Sequence, residues 1–425
     1  MKIILKKNYL FIIFYLTILI GFYFDEDLLG GAKHDYLFHI RFIELFSKDF
    51  IEGIKIYGYE DYLVRNSPIF YIILSQLNKL VGLETIRLIN SISSLLLVLI
   101  FYRCLKIKFK NINNEILKIL SCIIFLSPTV RSHAIWPYPL MWGLILFTLS
   151  IFYFLKFKNV RTQENKFFYI SVIFLVISSY VHITFSVFGI YYLIYFLKNN
   201  KLNFSFIKFT LFIIIISLPA IWFIFFRDGI YFFKGPEGFD ITYYDIFNIF
   251  NKIAIISTIM FFYLIPFFDN KLILKDIKRF NFIEIFLVIL IFTLCVFFFN
   301  YPYTNSFGGG YFFKLSSLIF KNNILFYLIF FISLLIFIKL FDYNFNNFLL
   351  LFILLICYNL QFTIYIKYYD PLLFILYFSL FEFKIVESFL KKSNFLYRIY
   401  FFCFTIYFIF LIKDNINDIF SLIVY

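Results

Sequence analysis

Residues 8–35 read NYLFIIFYLTILIGFYFDEDLLGGAKHD. After Asn8, the first part, up to Phe24, is an apolar run broken only by Thr17 and Gly21. It is long enough for a helix to cross a hydrocarbon core about 30 Å thick. Lys2, Lys6 and Lys7 precede it, and three carboxylates, Asp25-Glu26-Asp27, close it. A basic start with no small-residue cleavage signature reads as a retained first transmembrane helix over 8–24 rather than a cleaved leader. The acidic stop opens a polar stretch, Asp25 to Ser67, that carries nine carboxylates against five Lys/Arg, while the whole chain has a net charge of +14. An acidic segment on a basic, apolar chain marks either sidedness or a site.

The rest of the chain agrees with that opening. It is 63% hydrophobic with a mean hydropathy of +0.89, more apolar surface than a soluble domain can hide, and this predicts an all-α polytopic membrane protein. Seventy Phe and 34 Tyr reflect compositional bias and are not a binding signature. The basic residues sit in short loops between apolar runs, where topology and anionic headgroups account for them, so nucleic acid is not an expected partner. Cys104, Cys122, Cys295, Cys357 and Cys403 stand singly, which predicts neither a disulfide nor a metal site.

About thirteen runs have the length and character of spans: 8–24, 86–103, 115–129, 134–155, 167–181, 183–197, 205–226, 253–268, 282–299, 323–341, 346–364, 371–389 and 396–412. Together they read as one transmembrane domain over 1–425, with an acidic first outer loop at 25–85 and a second outer polar loop at 300–322. Pro68–Leu80 is apolar but short and holds Gln76, Asn78 and Lys79, so it reads as an amphipathic helix in the interface. A cytoplasmic N-terminus places 24 Lys/Arg and 7 Asp/Glu in the inner loops, against 15 and 17 in the outer ones. That is the bias that orients polytopic proteins. Glu284 falls inside a predicted span.

In this layout the unusual polar residues gather on the outer face. Ionisable groups at membrane depth are costly and often functional. Asp35 and His39 are four apart and share a helix face, as a surface pair would too. Arg131 is either a snorkelling interfacial cation or an anion ligand. His133, with Pro137 and Pro139 close behind it, suits a cap or a ligand, and His182 stands at a membrane face. Gly308-Gly309-Gly310 is a turn, or a place where backbone N–H groups approach a phosphate. In Lys367-Tyr368-Tyr369-Asp370-Pro371, Asp370 reads as a helix cap with Pro371 at the first helical position.

Taken in order, these stretches resemble a known pattern. Gly30-Gly31-Ala32-Lys33-His34-Asp35-Tyr36-Leu37-Phe38-His39 is followed by Asn66-Ser67-Pro68-Ile69-Phe70-Tyr71-Ile72-Ile73-Leu74-Ser75. Gly82, Ile86-Arg87-Leu88-Ile89-Asn90 and Leu126-Ser127-Pro128 come next. The first 160 residues or so resemble the polytopic glycosyltransferases of the C superfamily (GT-C), the group of protein O-mannosyltransferases, aminoarabinose transferases and dolichol-pathway glucosyltransferases. The resemblance implies an integral protein of the bacterial inner membrane that works on its outer face. It would move a hexose or pentose from a polyprenyl-phosphate-sugar donor to a glycan, lipid or protein acceptor. Asp35 matches the family's first-loop base, with His39 beside it, and Asp25 and Glu26 compete for the place. Arg65, Arg131, Lys367 and Lys314 are the expected phosphate ligands, with His133 and Asp370 in support. The chain departs from the family after the third span, where Arg131-Ser132-His133 replaces a second acidic residue. No cofactor is required by the resemblance, and the missing second acidic residue leaves a divalent metal without support but still open.

The chemistry suits these residues. An attacking hydroxyl or amine needs a base, which a carboxylate supplies. A phosphate leaving group gains charge that nearby cations stabilise. An O-antigen-type lipid-linked oligosaccharide polymerase is the nearest rival, although that class concentrates function in a large late loop. A flippase or transporter is a second, and it predicts internal repeats that the sequence lacks.

Overall fold

The computed structural model describes residues 2–28, 31–57, 67–159, 166–200, 204–222, 248–267, 280–302, 308–341, 343–359 and 363–424. Among these the secondary structure is helical, with no strand. Five helices are long and apolar enough to cross a membrane: Leu83–Lys108, Pro139–Asn159, Asn248–Phe267, Ile324–Phe341 and Asn394–Lys413. A bent pair, Asn114–Leu126 with Pro128–Ile135, makes a sixth if counted as one span. Shorter apolar helices of 10–17 residues lie at most of the other expected positions. The described residues form two compact units.

The first unit takes in residues 1–186, 200–240 and 396–425. It contains α1 (Lys2–Tyr23), α2 (Ala32–Lys48), α3 (Phe50–Ile56), α4 (Ile69–Val81), α5 (Leu83–Lys108), α6 (Asn114–Cys122) and α7 (Pro128–Ile135). α8 (Pro139–Asn159) and α9 (Lys166–Val181) follow as an antiparallel pair. Two serines zip that pair: Ser150 donates to the Ser171 carbonyl at 2.6 Å and Ser178 to the Gly143 carbonyl at 2.8 Å. The expected span 115–129 is broken. α6 tightens into a 3-10 turn over Ile123–Leu126, and α7 leaves at 67°. Ser127 accepts from the Val130 N–H and Pro128 opens the helix, so the sequence both stops one helix and starts another.

The first outer segment is built on aromatic packing. α2 buries Tyr36, His39, Phe42, Ile43 and Phe46, a helical spacing that gives one inward face. Asp27 accepts from the Ala32 and Lys33 N–H groups at 3.1 Å each and so stands in for a cap at the start of α2. Asp49 then caps α3 by accepting from Ile51 and Glu52. Phe42, Ile43 and Phe46 of α2 pack with Phe70, Tyr71 and Leu74 of α4, and with Ile86 and Val181. The helix expected over 68–80 is α4. Gly82 joins it to α5 with φ of 78°, a conformation that glycine adopts without steric cost.

The second unit takes in residues 187–199 and 241–395. It holds most of α10 (Phe188–Asn200), α12 (Asn248–Leu264), α13 (Phe282–Phe297), α14 (Gly310–Phe320), α15 (Ile324–Phe341), α16 (Phe345–Phe352), α17 (Leu372–Phe378) and α18 (Lys384–Leu390). α11 (Phe204–Trp222) and most of α19 (Ser393–Val424) belong to the first unit. Glu284 is in the first turn of α13, not deep in a span. It completes a capping box with Asn281 and accepts from Lys339 at 2.7 Å and from the Tyr343 hydroxyl. The stretch read as a span over 371–389 differs as well: α17 and α18 are seven residues each. A seven-residue helix is about 10 Å long and cannot cross alone. Asn347 holds the break between them. Its Oδ1 accepts from the Glu382 N–H at 2.8 Å and its Nδ2 donates to the Glu382 carbonyl at 3.2 Å.

Candidate functional site

The acidic triplet after α1 divides its work three ways. Backbone bonds from Asp25 to Phe22 and from Glu26 to Gly21 fold the chain back on the helix end, and Asp25 turns with φ of 54°. Asp27 caps α2, as described above. Glu26 is buried and faces Arg131, which is 2% exposed. Arg131 donates Nε to Oε1 at 2.5 Å and Nη2 to Oε2 at 2.7 Å. It also reaches Thr17 Oγ1 at 3.0 Å, the Thr17 carbonyl at 2.9 Å and the Phe125 carbonyl at 3.5 Å. The guanidinium has five N–H donors, and protein groups take them all. Its Cζ lies 4.6 Å from the centre of the Tyr407 ring. Trp136 donates to the Glu26 carbonyl at 3.1 Å. This is a clamp joining α1 to α7, and a lipid phosphate at Arg131 would have to displace it.

Asp25 belongs to a second ionic group. Arg87 Nη2 donates to Asp25 Oδ1 at 2.6 Å, and Nη1 donates to Glu84 at 3.0 Å. The Arg87 guanidinium stacks on Trp136 at 3.9 Å, and Lys33 Nζ lies 5.2 Å from the same ring and 3.9 Å from Asp25 Oδ2. Tyr36 closes the group against Trp136, ring centres 5.9 Å apart. Burial pushes its phenol up to about 12, outweighing the pull of the Arg87 charge. Tyr36 therefore stays protonated through the physiological range. Asp25 and Glu26, expected to compete with Asp35, are thus engaged with arginines.

Asp35 sits in the first turn of α2, half-buried, on the face it shares with His39. His39 is 5% exposed, and its Nδ1 is 2.6 Å from the Tyr71 hydroxyl. The Tyr71 ring stacks on the imidazole, and the Tyr138 ring meets it edge-on at 5.1 Å. His133 stacks on the far side of this arrangement, 4.6 Å from Tyr138, and His182 approaches Tyr138 at 6.4 Å. Three of the chain's four histidines therefore gather round one tyrosine, beside the helix that bears Asp35. Asn90 fixes the α7 end of this cluster. Its Nδ2 donates to the His133 and Ala134 carbonyls at 2.8 Å, and its Oδ1 accepts from Trp142 at 2.7 Å.

Lys314, Lys367 and Asp370 belong to the second unit. The three glycines 308–310 all have positive φ. Gly309 donates its N–H to the Ile364 carbonyl at 3.0 Å. A Cβ at Gly308 would stand 2.8 Å from that carbonyl and 2.6 Å from the Tyr301 hydroxyl. The glycines thus allow a close approach to the segment that leads to Lys367 and Asp370. Lys367 lies near the Tyr365 and Tyr368 rings, at 5.6 and 5.8 Å. Asp370 is buried one residue before the cap position of α17, which Pro371 occupies. It is therefore not the cap expected from the sequence. Lys314 is half-buried on α14. Arg65 lies outside the described residues.

Sequence reasoning missed several contributors. Thr17 and Gly21 were visible as a polar and a small residue four apart inside an apolar run, the spacing of one helix face. Arg87, Asn90 and Tyr71 lie inside stretches already noted for their order. Tyr138 and Trp136 gave no signal among so many aromatics. Among the described residues, no three His, Cys, Asp or Glu side chains come together in a way that could hold a metal ion. No family model, curated protein or solved structure matches the chain.

Proposed function

We propose that this protein is a membrane glycosyltransferase that moves a sugar from a polyprenyl-phosphate donor to an acceptor on the non-cytoplasmic face. The observation that supports it most is the placing of Asp35. An amphipathic helix held on α4 carries this carboxylate, half-buried, beside a buried cluster of His39, Tyr71, Tyr138, His133 and His182. In the proposed reaction an acceptor hydroxyl or amine attacks the anomeric carbon and its proton passes to Asp35. The bond from that carbon to the phosphate oxygen breaks, and its electron pair leaves with the lipid phosphate. No general acid is needed for such a leaving group, and the exclusion of water protects the donor from hydrolysis.

The cations assigned to the phosphate are Arg65, kept from the sequence reading, and Lys33, in the first turn of α2 with its side chain 52% exposed. Lys314 and Lys367 belong to the second unit and are given no part in it. Arg131 moves from ligand to clamp, because its donors are already spent. The proposal keeps the orientation given by the Lys/Arg bias, with the N-terminus in the cytoplasm, and a bacterial inner membrane. The shorter apolar helices supply the crossings beyond the longest ones.

The test is transfer in membrane vesicles supplied with radiolabelled polyprenyl-phosphate hexose and, separately, pentose. Asp35→Asn is expected to abolish release of label from the lipid while membrane insertion and yield stay at wild-type levels. Full transfer by that variant would remove Asp35 from the chemistry.

A further inference from the structure

Tyr71 comes from the stretch that begins the amphipathic α4, and it has no part in the scheme above. It is completely buried. Its hydroxyl is spent on His39 Nδ1 at 2.6 Å, and its ring stacks on the same imidazole with centres 5.4 Å apart and planes 29° apart. Tyr57 and Phe42 press on Tyr71 from behind, with ring centres at 5.9 and 4.9 Å. The hydroxyl is held by packing from α2 and from the turn after α3, so neither ring can turn away from the other.

We propose that Tyr71 is a positioning residue for the transfer reaction: it donates its proton to His39 Nδ1 and so fixes the imidazole tautomer beside Asp35. The inference rests on the transferase reading of Asp35. A phenol O–H is a stronger acid than a neutral imidazole N–H, so it is the better donor in such a pair. With Nδ1 engaged, the imidazole proton resides on Nε2, and any exchange with the acceptor or with Asp35 passes through that nitrogen. His39 then steers the acceptor hydroxyl by a hydrogen bond, while Asp35 takes its proton. The titratable groups around this imidazole are Tyr71 from α4 with Tyr57 behind it, and Tyr138 with His133 and His182 around it; Asp35 lies one turn earlier on its own helix.

Two measurements test the role. The first compares transfer by wild type, Tyr71→Phe, His39→Gln and the double variant across pH. Tyr71→Phe keeps the ring and loses only the hydroxyl. It is expected to lower kcat on the order of ten-fold, the scale of losing a group that holds a catalytic side chain in place. The donor KM should stay the same and the acidic limb of the profile should shift. The double variant should be no slower than His39→Gln alone. A Tyr71→Phe profile that overlays wild type, or a double variant slower by the product of the two single effects, overturns the proposal. If Asp35→Asn is inactive and Tyr71→Phe is unchanged, only the Tyr71 role falls. If Asp35→Asn is active and Tyr71→Phe still shifts the profile, the Asp35 assignment falls and the couple stands.

The second measurement needs no activity. Nitrogen NMR of histidine-labelled protein, with His39 assigned by difference from His39→Gln, should show one neutral tautomer protonated on Nε2 in wild type. A mixture should appear in Tyr71→Phe. Identical His39 signals in the two proteins would overturn the proposal.

Discussion

Glu26 and Arg131 stand 105 residues apart in the chain and meet through two charge-assisted bonds. Sequence showed each of them, Glu26 as a rival base and Arg131 as an anion ligand or snorkelling cation. It did not show the pairing, because nothing local encodes a contact over that separation. Breaking one side of a buried pair leaves an uncompensated charge, at a cost of about 3–5 kcal/mol. Arg131→Ala should therefore lower thermal stability sharply in detergent and reduce donor and acceptor use in equal proportion. A selective loss of donor use at unchanged stability would return Arg131 to the phosphate. Gly21 gives an independent check. A Cβ there would lie 2.5 Å from Glu26 Oε2 and 3.0 Å from Arg131 Nη2. Overpacking of this kind costs about 1–3 kcal/mol, so Gly21→Ala should show a smaller loss of the same sort in a melting assay.

The helices themselves were largely legible where a long apolar run met a clear stop. α5 and α8 lie where the sequence put spans, and α4 lies where the mixed Gln76, Asn78 and Lys79 pattern put an amphipathic helix. The break after α17 was legible only in part. Residues 371–378 are apolar, but Ser379, Glu382, Lys384, Glu387 and Ser388 follow; what divides the stretch in the fold is Asn347, an amide from another helix that bonds both the N–H and the carbonyl of Glu382. An apolar run predicts burial but not the tertiary bond that interrupts it. The bend at Ser127 could be read in part, since Ser-Pro ends one helix and begins the next. Losing such a cap costs about 0.5–2 kcal/mol. Asn347→Ala removes both contacts to Glu382, and hydrogen exchange of the 379–383 amides should rise well above wild type, with the amides of α12 unchanged. Equal protection in both proteins would mean that the break is held by something else.

Across the whole molecule, the distribution of Lys and Arg carries an expected orientation, a bias summed over many loops. The histidine cluster was only half visible. His39, His133 and His182 could be placed near one face, but their meeting at Tyr138 depends on α2, α7 and α9 packing together, which periodicity does not give. The orientation predicts that Lys55→Cys, on an exposed part of α3, reacts with a membrane-impermeant thiol reagent added to intact cells. Lys158→Cys, at the basic end of α8, should react only after permeabilisation. The reverse pattern would turn the protein over and place Asp35 in the cytosol. The most direct measurement of the function is mass spectrometry of cell-envelope glycans from three strains: one with the gene, one without it, and one with only the Asp35→Asn form. One glycan is expected to lose a single hexose or pentose in the deleted strain and to stay truncated when the Asp35→Asn protein is supplied. Unchanged glycans on deletion, or full restoration by Asp35→Asn, would contradict it.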